Sequence, residues 1–234
     1  MIRFALVLAL LPGLAEAACR QALSMGLDVS SSVDDREYRL QLDGVIAALN
    51  SETVREILFI RPEAPIRLHV FEWSGPVNHR EIVPWTEVRS PADLARITQL
   101  LRAHERGVAA PTTAIGSAIL QGYAYLEPHA DCWQRTLDLS GDGATNTGPV
   151  PESIPESQRP PGVTVNGLVV GAGDARSGDA TFVDIKELSR YYERNVIRGP
   201  GAFVEVALGY EAYAATMERK LVRELASMAV GELD

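Results

Sequence analysis

The chain has 234 residues, 46% of them apolar and 23% charged, which is enough to bury one substantial core without requiring a second domain. Its formal net charge of −9 is a poor footing for a phosphate backbone, so nucleic acid is excluded as an expected partner.

The N-terminus carries Arg3, an apolar run from Phe4 to Leu14, and the small-residue pattern Ala15-Glu16-Ala17. This reads as a secretory signal peptide over 1–17, leaving one domain over 18–234 in a periplasmic or secreted protein. Cys19 follows the cleavage pattern, but Glu16 stands where a lipobox wants leucine, so lipidation is not expected. No later stretch reaches ~18 uninterrupted apolar residues, so no membrane span is expected.

In chain order, Ala22 to Asp28 reads as a strand that ends in a carboxylate and runs into Ser30 and Ser32. Oxygens at i, i+2 and i+4 beyond a buried strand can turn into one pocket, the kind of ligand set hard divalent cations take. Asp34 with Glu37 is a capping pair, and Tyr38, Leu42, Val45, Ile46 and Leu49 repeat at helical spacing behind it. Ile66–Trp73 and Glu81–Trp85 flank Ser74-Gly75-Pro76 and predict a hairpin, with Pro84 tolerable on an edge strand. Trp73 and Trp85 are expected to pack. Ser90-Pro91 opens a helix with Leu94, Ile97 and Leu101 inward, and His104 near its end reads as a solvated or charge-partnering residue.

Thr113 stands at the head of a helix carrying Ile115, Ile119, Tyr123 and Leu126, where a hydroxyl can act as N-cap, as ligand, or as both. Arg135 to Ser140 is a strand that stops at Gly141-Asp142-Gly143. From Pro149 to Pro161 the prolines forbid a long helix. Val163–Val170 is a strand, Gly171–Asp179 a mobile loop without calcium-loop spacing, Phe182–Tyr192 a helix and Ala202–Val206 a short strand. Tyr213, Met217, Leu221, Leu225 and Met228 mark a closing helix. Alternating strands and helices predict an α/β fold.

Together, Asp28-x-Ser30-x-Ser32, Thr113 before Gly116, and Asp142-Gly143 after a strand resemble the metal-ion-dependent adhesion site of von Willebrand factor A (vWA) domains. Trp73-Ser74-Gly75, Val83-Pro84-Trp85-Thr86, Ser140-Gly141-Asp142-Gly143 with Asn146, Val165-Asn166-Gly167-Leu168 and Gly199-Pro200-Gly201-Ala202-Phe203 are similar to an exported bacterial vWA-like family of unassigned function. The resemblance implies a doubly wound, mostly parallel six-stranded sheet, ordered 3-2-1-4-5-6 with one antiparallel edge strand and helices on both faces. It places Asp28 and Asp142 either side of the switch point, where open α/β sheets bind ligands. It names Asp28, Ser30, Ser32, Thr113 and Asp142 as the metal set, and a partner's Asp or Glu as the group completing the shell.

Cys19 precedes Asp28 by nine positions and Cys132 precedes Asp142 by ten. If the two strands are parallel neighbours, ~4.8 Å apart, the cysteines meet at the far end of the sheet and a Cys19–Cys132 disulfide is expected. The chain-entropy model values such a bridge at up to roughly 4 to 5 kcal/mol. Counting back four from each aspartate sets Asp138 level with Ser24, so a hydrogen bond between them is expected.

The all-oxygen ligand set favours Mg²⁺, Mn²⁺ or Ca²⁺ and disfavours zinc, for which His or Cys would be expected. A non-enzymatic, metal-dependent protein-binding module follows. Two alternatives stay open: a metal-dependent hydrolase using a metal-bound water, with Glu72 or Asp138 as base, and an exported structural domain in which the metal is a staple. The chain shows no P-loop, G-x-S-x-G or H-E-x-x-H pattern.

Overall fold

The structure is a computed structural model that describes residues 19–171 and 179–230, apart from the side chains of 179–184 and 227–230. The expected signal peptide and most of the expected Gly171–Asp179 loop lie outside the described residues.

The strands are β1 (Cys19–Asp28), β2 (Ile66–Trp73), β3 (His79–Val88), β4 (Cys132–Gly141), β5 (Val163–Val170) and β6 (Val204–Ala207). They form one sheet in the order β3-β2-β1-β4-β5-β6, in which only β2 and β3 pair antiparallel. β1 is buried along its whole length and alternates between the two faces. Leu23, Met25 and Leu27 point into one core, and Ala22 into the other.

Helices α1 (Asp35–Asn50), α2 (Glu52–Phe59), α3 (Pro91–Ala103) and α6 (Tyr213–Val230) cover the first face. Leu42, Val54, Leu94 and Met217 join the β1 side chains there. Helix α4 (Ile115–Leu126) covers the second face with Ile115, Ile119 and Tyr123, and α5 (Asp179–Tyr191) adds Leu188 and Tyr191. Between β4 and β5 the proline-rich stretch makes only two short 3₁₀ turns, Pro151–Ser153 and Glu156–Gln158.

Caps follow the local sequence. Asp34 accepts from the Glu37 N–H while Glu37 accepts from the Asp34 N–H, and Ser90 and Asp93 repeat that exchange at α3. Helix α2 had no counterpart in the sequence reading: Ser51 ends α1 and caps the new helix, which buries only Val54 and Leu58. Several strands are longer than hydropathy suggested. β1 includes Arg20, whose guanidinium donates to the Ile57 carbonyl at 2.8 Å, and Gln21, which donates to Thr136 at 3.0 Å. These buried polar residues are each held by a bond inside and break the apolar run.

The Cys19–Cys132 disulfide is present, with the two residues level on neighbouring strands. Asp138 departs from expectation. Leu27 is level with Ser140, so Asp138 faces Met25 in register rather than Ser24, and Asp142 lies one residue beyond the level of Asp28. Asp138 instead pairs with the buried Lys220 of α6 at 2.8 Å, and Lys220 also reaches Glu224 at 2.5 Å. Ser24 bonds His69 Nδ1 at 2.8 Å, and His69 Nε2 lies 3.1 Å from Glu81.

Candidate metal centre

The C-terminal ends of β1 and β4 bring all five expected residues together. Beyond Asp28 the chain turns back, with the Ser30 N–H donating to Asp28 Oδ1 at 2.8 Å and the Val33 N–H to the Ser30 carbonyl at 3.1 Å. This turn sets Ser30 Oγ 3.1 Å from Ser32 Oγ. Ser32 donates to Asp142 Oδ1 at 2.6 Å, and Thr113 donates to Ser30 Oγ at 3.2 Å. The oxygens of Thr113, Ser30, Ser32 and Asp142 therefore form one chain, which Asp28 joins through the Ser30 backbone N–H. Asp28, Ser30, Thr113 and Asp142 are buried, and Ser32 is exposed at the mouth.

Thr113 is not the cap of α4. The N-cap position falls on Ala114, which has no side-chain bond, and the Ile115 N–H donates to Thr145 Oγ1 at 3.2 Å. The Thr113 hydroxyl is thus free to face the site. Its backbone is fixed by a reciprocal pair with Asn146: Thr113 N–H to Asn146 Oδ1 and Asn146 N–H to the Thr113 carbonyl, both 2.9 Å.

The electrostatics are unfavourable for two bare carboxylates. Burial, and then the nearby Asp142, push the Asp28 carboxyl up to about 7, and burial also raises Asp142. Asp28 Oδ2 is buried and hydrogen-bonds no protein atom. A divalent cation would neutralise both acids and take the oxygens of Asp28, Ser30, Ser32, Thr113 and Asp142 as ligands, so the donor set fits such an ion.

Arg106 was not singled out from the sequence, yet it builds the loop that carries the serines. Its Nη2 donates to the carbonyls of Val33 (2.7 Å), Val29 (3.1 Å) and Ser30 (3.3 Å), its Nη1 reaches Asp35 at 2.8 Å, and it lies over the Tyr38 ring. An arginine just past α3 carries no motif by which to recognise this.

Of the two readings of His104 the charge-partnering one holds: it is largely buried, and its Nε2 lies 3.2 Å from Glu72 Oε2, which also accepts from the Tyr38 hydroxyl. Glu72 is level with Leu27 and so sits on the opposite face of the sheet from Asp28, while Asp138 is held by Lys220. Neither carboxylate considered as a general base reaches the site. At the other end of the sheet, His129, Asp131 and Cys132 also cluster, but the Cys132 sulfur is in the disulfide and Arg67 Nη1 lies 3.0 Å from Asp131 and 3.3 Å from His129. That cluster already holds its cation. Trp73 packs fully buried and Trp85 half-buried, stacked on His69.

Solved structures share this fold. Proximal thread matrix protein 1 from the mussel byssus is similar at 17% identity and a TM-score of 0.62, over 90% of this chain and 49% of that one. Another structure of that mussel protein is described as having a zinc-occupied MIDAS motif, the metal-ion-dependent adhesion site. The pilus adhesin SpaC from Lactobacillus rhamnosus GG is similar at 10% identity and a TM-score of 0.59, over 90% and 31%. A von Willebrand factor type A protein from Catenulispora acidiphila is similar at 13% identity and a TM-score of 0.56, over 89% and 43%. The chain thus has the vWA fold and spans about a third to a half of the length of these proteins. No curated protein matches it. Residues 18–229 match the family described as "Protein of unknown function (DUF1194)".

Proposed function

The chain belongs to the DUF1194 family, and from that premise we propose that it is an exported, metal-dependent protein-binding module of the adhesion type. Asp28, Ser30, Ser32, Thr113 and Asp142 would hold a divalent cation at the sheet's switch point. An acidic side chain of a partner protein would complete its coordination. The observation that carries this reading is the buried pair Asp28 and Asp142, linked through the Ser30 backbone N–H and the Ser30 and Ser32 hydroxyls, with no lysine or arginine in direct contact among the described residues.

Supporting the acidic partner is a groove of about 870 Å³ that borders the site at Ser31 and is lined by Tyr38, Arg39, Arg102 and Arg106. Its three arginines outnumber the two acids of the lining, Asp35 and Glu105, on a chain of net charge −9. The exposed Val77 and Val108 line a separate, smaller pocket with Ser74 and Ala109 and offer apolar contact there. Magnesium, manganese and calcium suit the oxygen ligands, and the zinc described in the mussel protein adds that ion to the set worth testing. The disulfide supports an exported protein, and among the described residues no helix is long and apolar enough to cross a membrane.

The test is retention of exported proteins from the source cells on the immobilised chain, with Mg²⁺ or with EDTA, beside an Asp142→Ala variant. Retention that needs both the ion and Asp142, with circular dichroism unchanged, supports the module. Unfolding in EDTA supports the staple, and ion-dependent hydrolysis of ester or phosphate substrates supports the enzyme.

A further inference from the structure

Behind the site, on the side away from solvent, several polar groups converge over Gly141. Asp28 Oδ2, the Tyr192 hydroxyl and Trp73 Nε1 are each buried and hydrogen-bond no protein atom. A β carbon on Gly141 would lie 2.6 Å from the Tyr192 oxygen, 3.0 Å from Asp28 Oδ2 and 3.4 Å from Trp73 Cζ2, the ring atom two bonds from Nε1. Asp28 and Trp73 are level on neighbouring strands and so share this face.

Tyr192 arrives from a different part of the chain and is given room. It opens the single π-helical turn Tyr192–Val196 that ends α5, a geometry that is rare outside functional sites. A β carbon on Gly167 would come 2.8 Å from Tyr192 Cδ1. Glycines on neighbouring strands, β4 and β5, therefore clear one slot for this ring, and the slot points its hydroxyl at the back of Asp28.

We propose that Tyr192 and Trp73 hold one buried water against Asp28 Oδ2, and that Tyr192 is through it a positioning residue for the cation site. All three protein groups gain a partner: the phenol and the indole each donate to one of the water's two lone pairs, and one of its two hydrogens goes to the carboxylate. Ser30 N–H fixes Oδ1 and the water fixes Oδ2, so Asp28 is locked in orientation. Outer partners of this kind govern metal affinity through the ligand they orient. The inference rests on the reading of Asp28 as part of a cation site.

Tyr192→Phe removes only the hydroxyl. We expect Mn²⁺ affinity, read by calorimetric titration, to fall roughly tenfold while the urea midpoint in EDTA stays close to the parent's. A tyrosine that merely packs would keep its ring contacts and leave the affinity unchanged, so an affinity within about twofold of the parent overturns the positioning role. A high-resolution crystal structure in EDTA supplies the second readout. Water within hydrogen-bond distance of Asp28 Oδ2, Tyr192 and Trp73 is expected, and its absence overturns the proposal. If the parent itself binds no Mn²⁺, the cation-site reading fails on its own while the crystal structure still decides the water.

Discussion

Two pairs of buried acids lie at the sheet, and only one of these pairs has a lysine or arginine in direct contact among the described residues. On the α6 side, Asp138 and Glu224 share the buried ammonium of Lys220, and Asn166 donates to Glu224 at 2.7 Å. On the α4 side, Asp28 and Asp142 share only hydroxyls and backbone N–H groups, with Arg106 as the one cation acting on Asp28, and that as the smallest of several influences. A fold that supplies a lysine to one buried acid pair and none to the other has left the second to be balanced from outside. That difference separates a structural cluster from a ligand site, although each has one carboxylate on a central strand, Asp138 on β4 and Asp28 on β1.

The largest effect should come from breaking the first cluster. Lys220→Met strands two buried acids without their cation and should cost about 3 to 5 kcal/mol in urea unfolding, with or without divalent ions. The second effect concerns pH. Asp28 titrates near 7 in the folded chain against an ordinary 3.8, so the folded state holds more protons between these values. The resulting stability is complete below about pH 4 and is lost as pH rises through about 7. Burial raises Asp138 in the same direction, so the pH 5 to pH 8 difference should be on the order of a few kcal/mol. Saturating Mg²⁺ should remove the part belonging to Asp28 and Asp142 and leave the Asp138 part. A pH profile unaltered by the ion would merge the two clusters into one kind.

Smaller effects sharpen the same contrast. Arg106→Ala frees three carbonyls of the serine loop and should lower both stability, by about 1 to 2 kcal/mol, and ion affinity, whereas Lys220→Met should affect stability alone. Asp142→Asn should stabilise the metal-free protein on the order of 1 kcal/mol by removing one of two acids that repel each other. A loss of stability there would mean that the pair is already balanced.

Much of the second cluster was legible in sequence because each member lies at a strand or helix boundary with its own punctuation. Asp28 ends an apolar run, Asp142 sits between glycines and Thr113 precedes an apolar helix. The disulfide followed from counting along two strands, although the count was one residue off in register, because strand periodicity says nothing about stagger between neighbours. That same single residue misplaced Asp138. Its true partner, Lys220, stands in the buried stripe of a helix whose apolar spacing hid a charged side chain. Arg106 and Tyr192 left no local trace at all, since one acts through backbone carbonyls far away in sequence and the other through a π turn and two distant glycines.

The central claim is that Asp28 and Asp142 await a cation, and the most direct measurement is the thermal midpoint of the purified protein titrated with Mg²⁺, Mn²⁺, Ca²⁺ and Zn²⁺ beside Asp142→Ala. An ion at a hundred times its dissociation constant should add about 2.7 kcal/mol, or about 5 to 10 °C for a chain of this size, in the parent only. No rise with any ion at millimolar concentration, or an equal rise in parent and variant, would contradict the account.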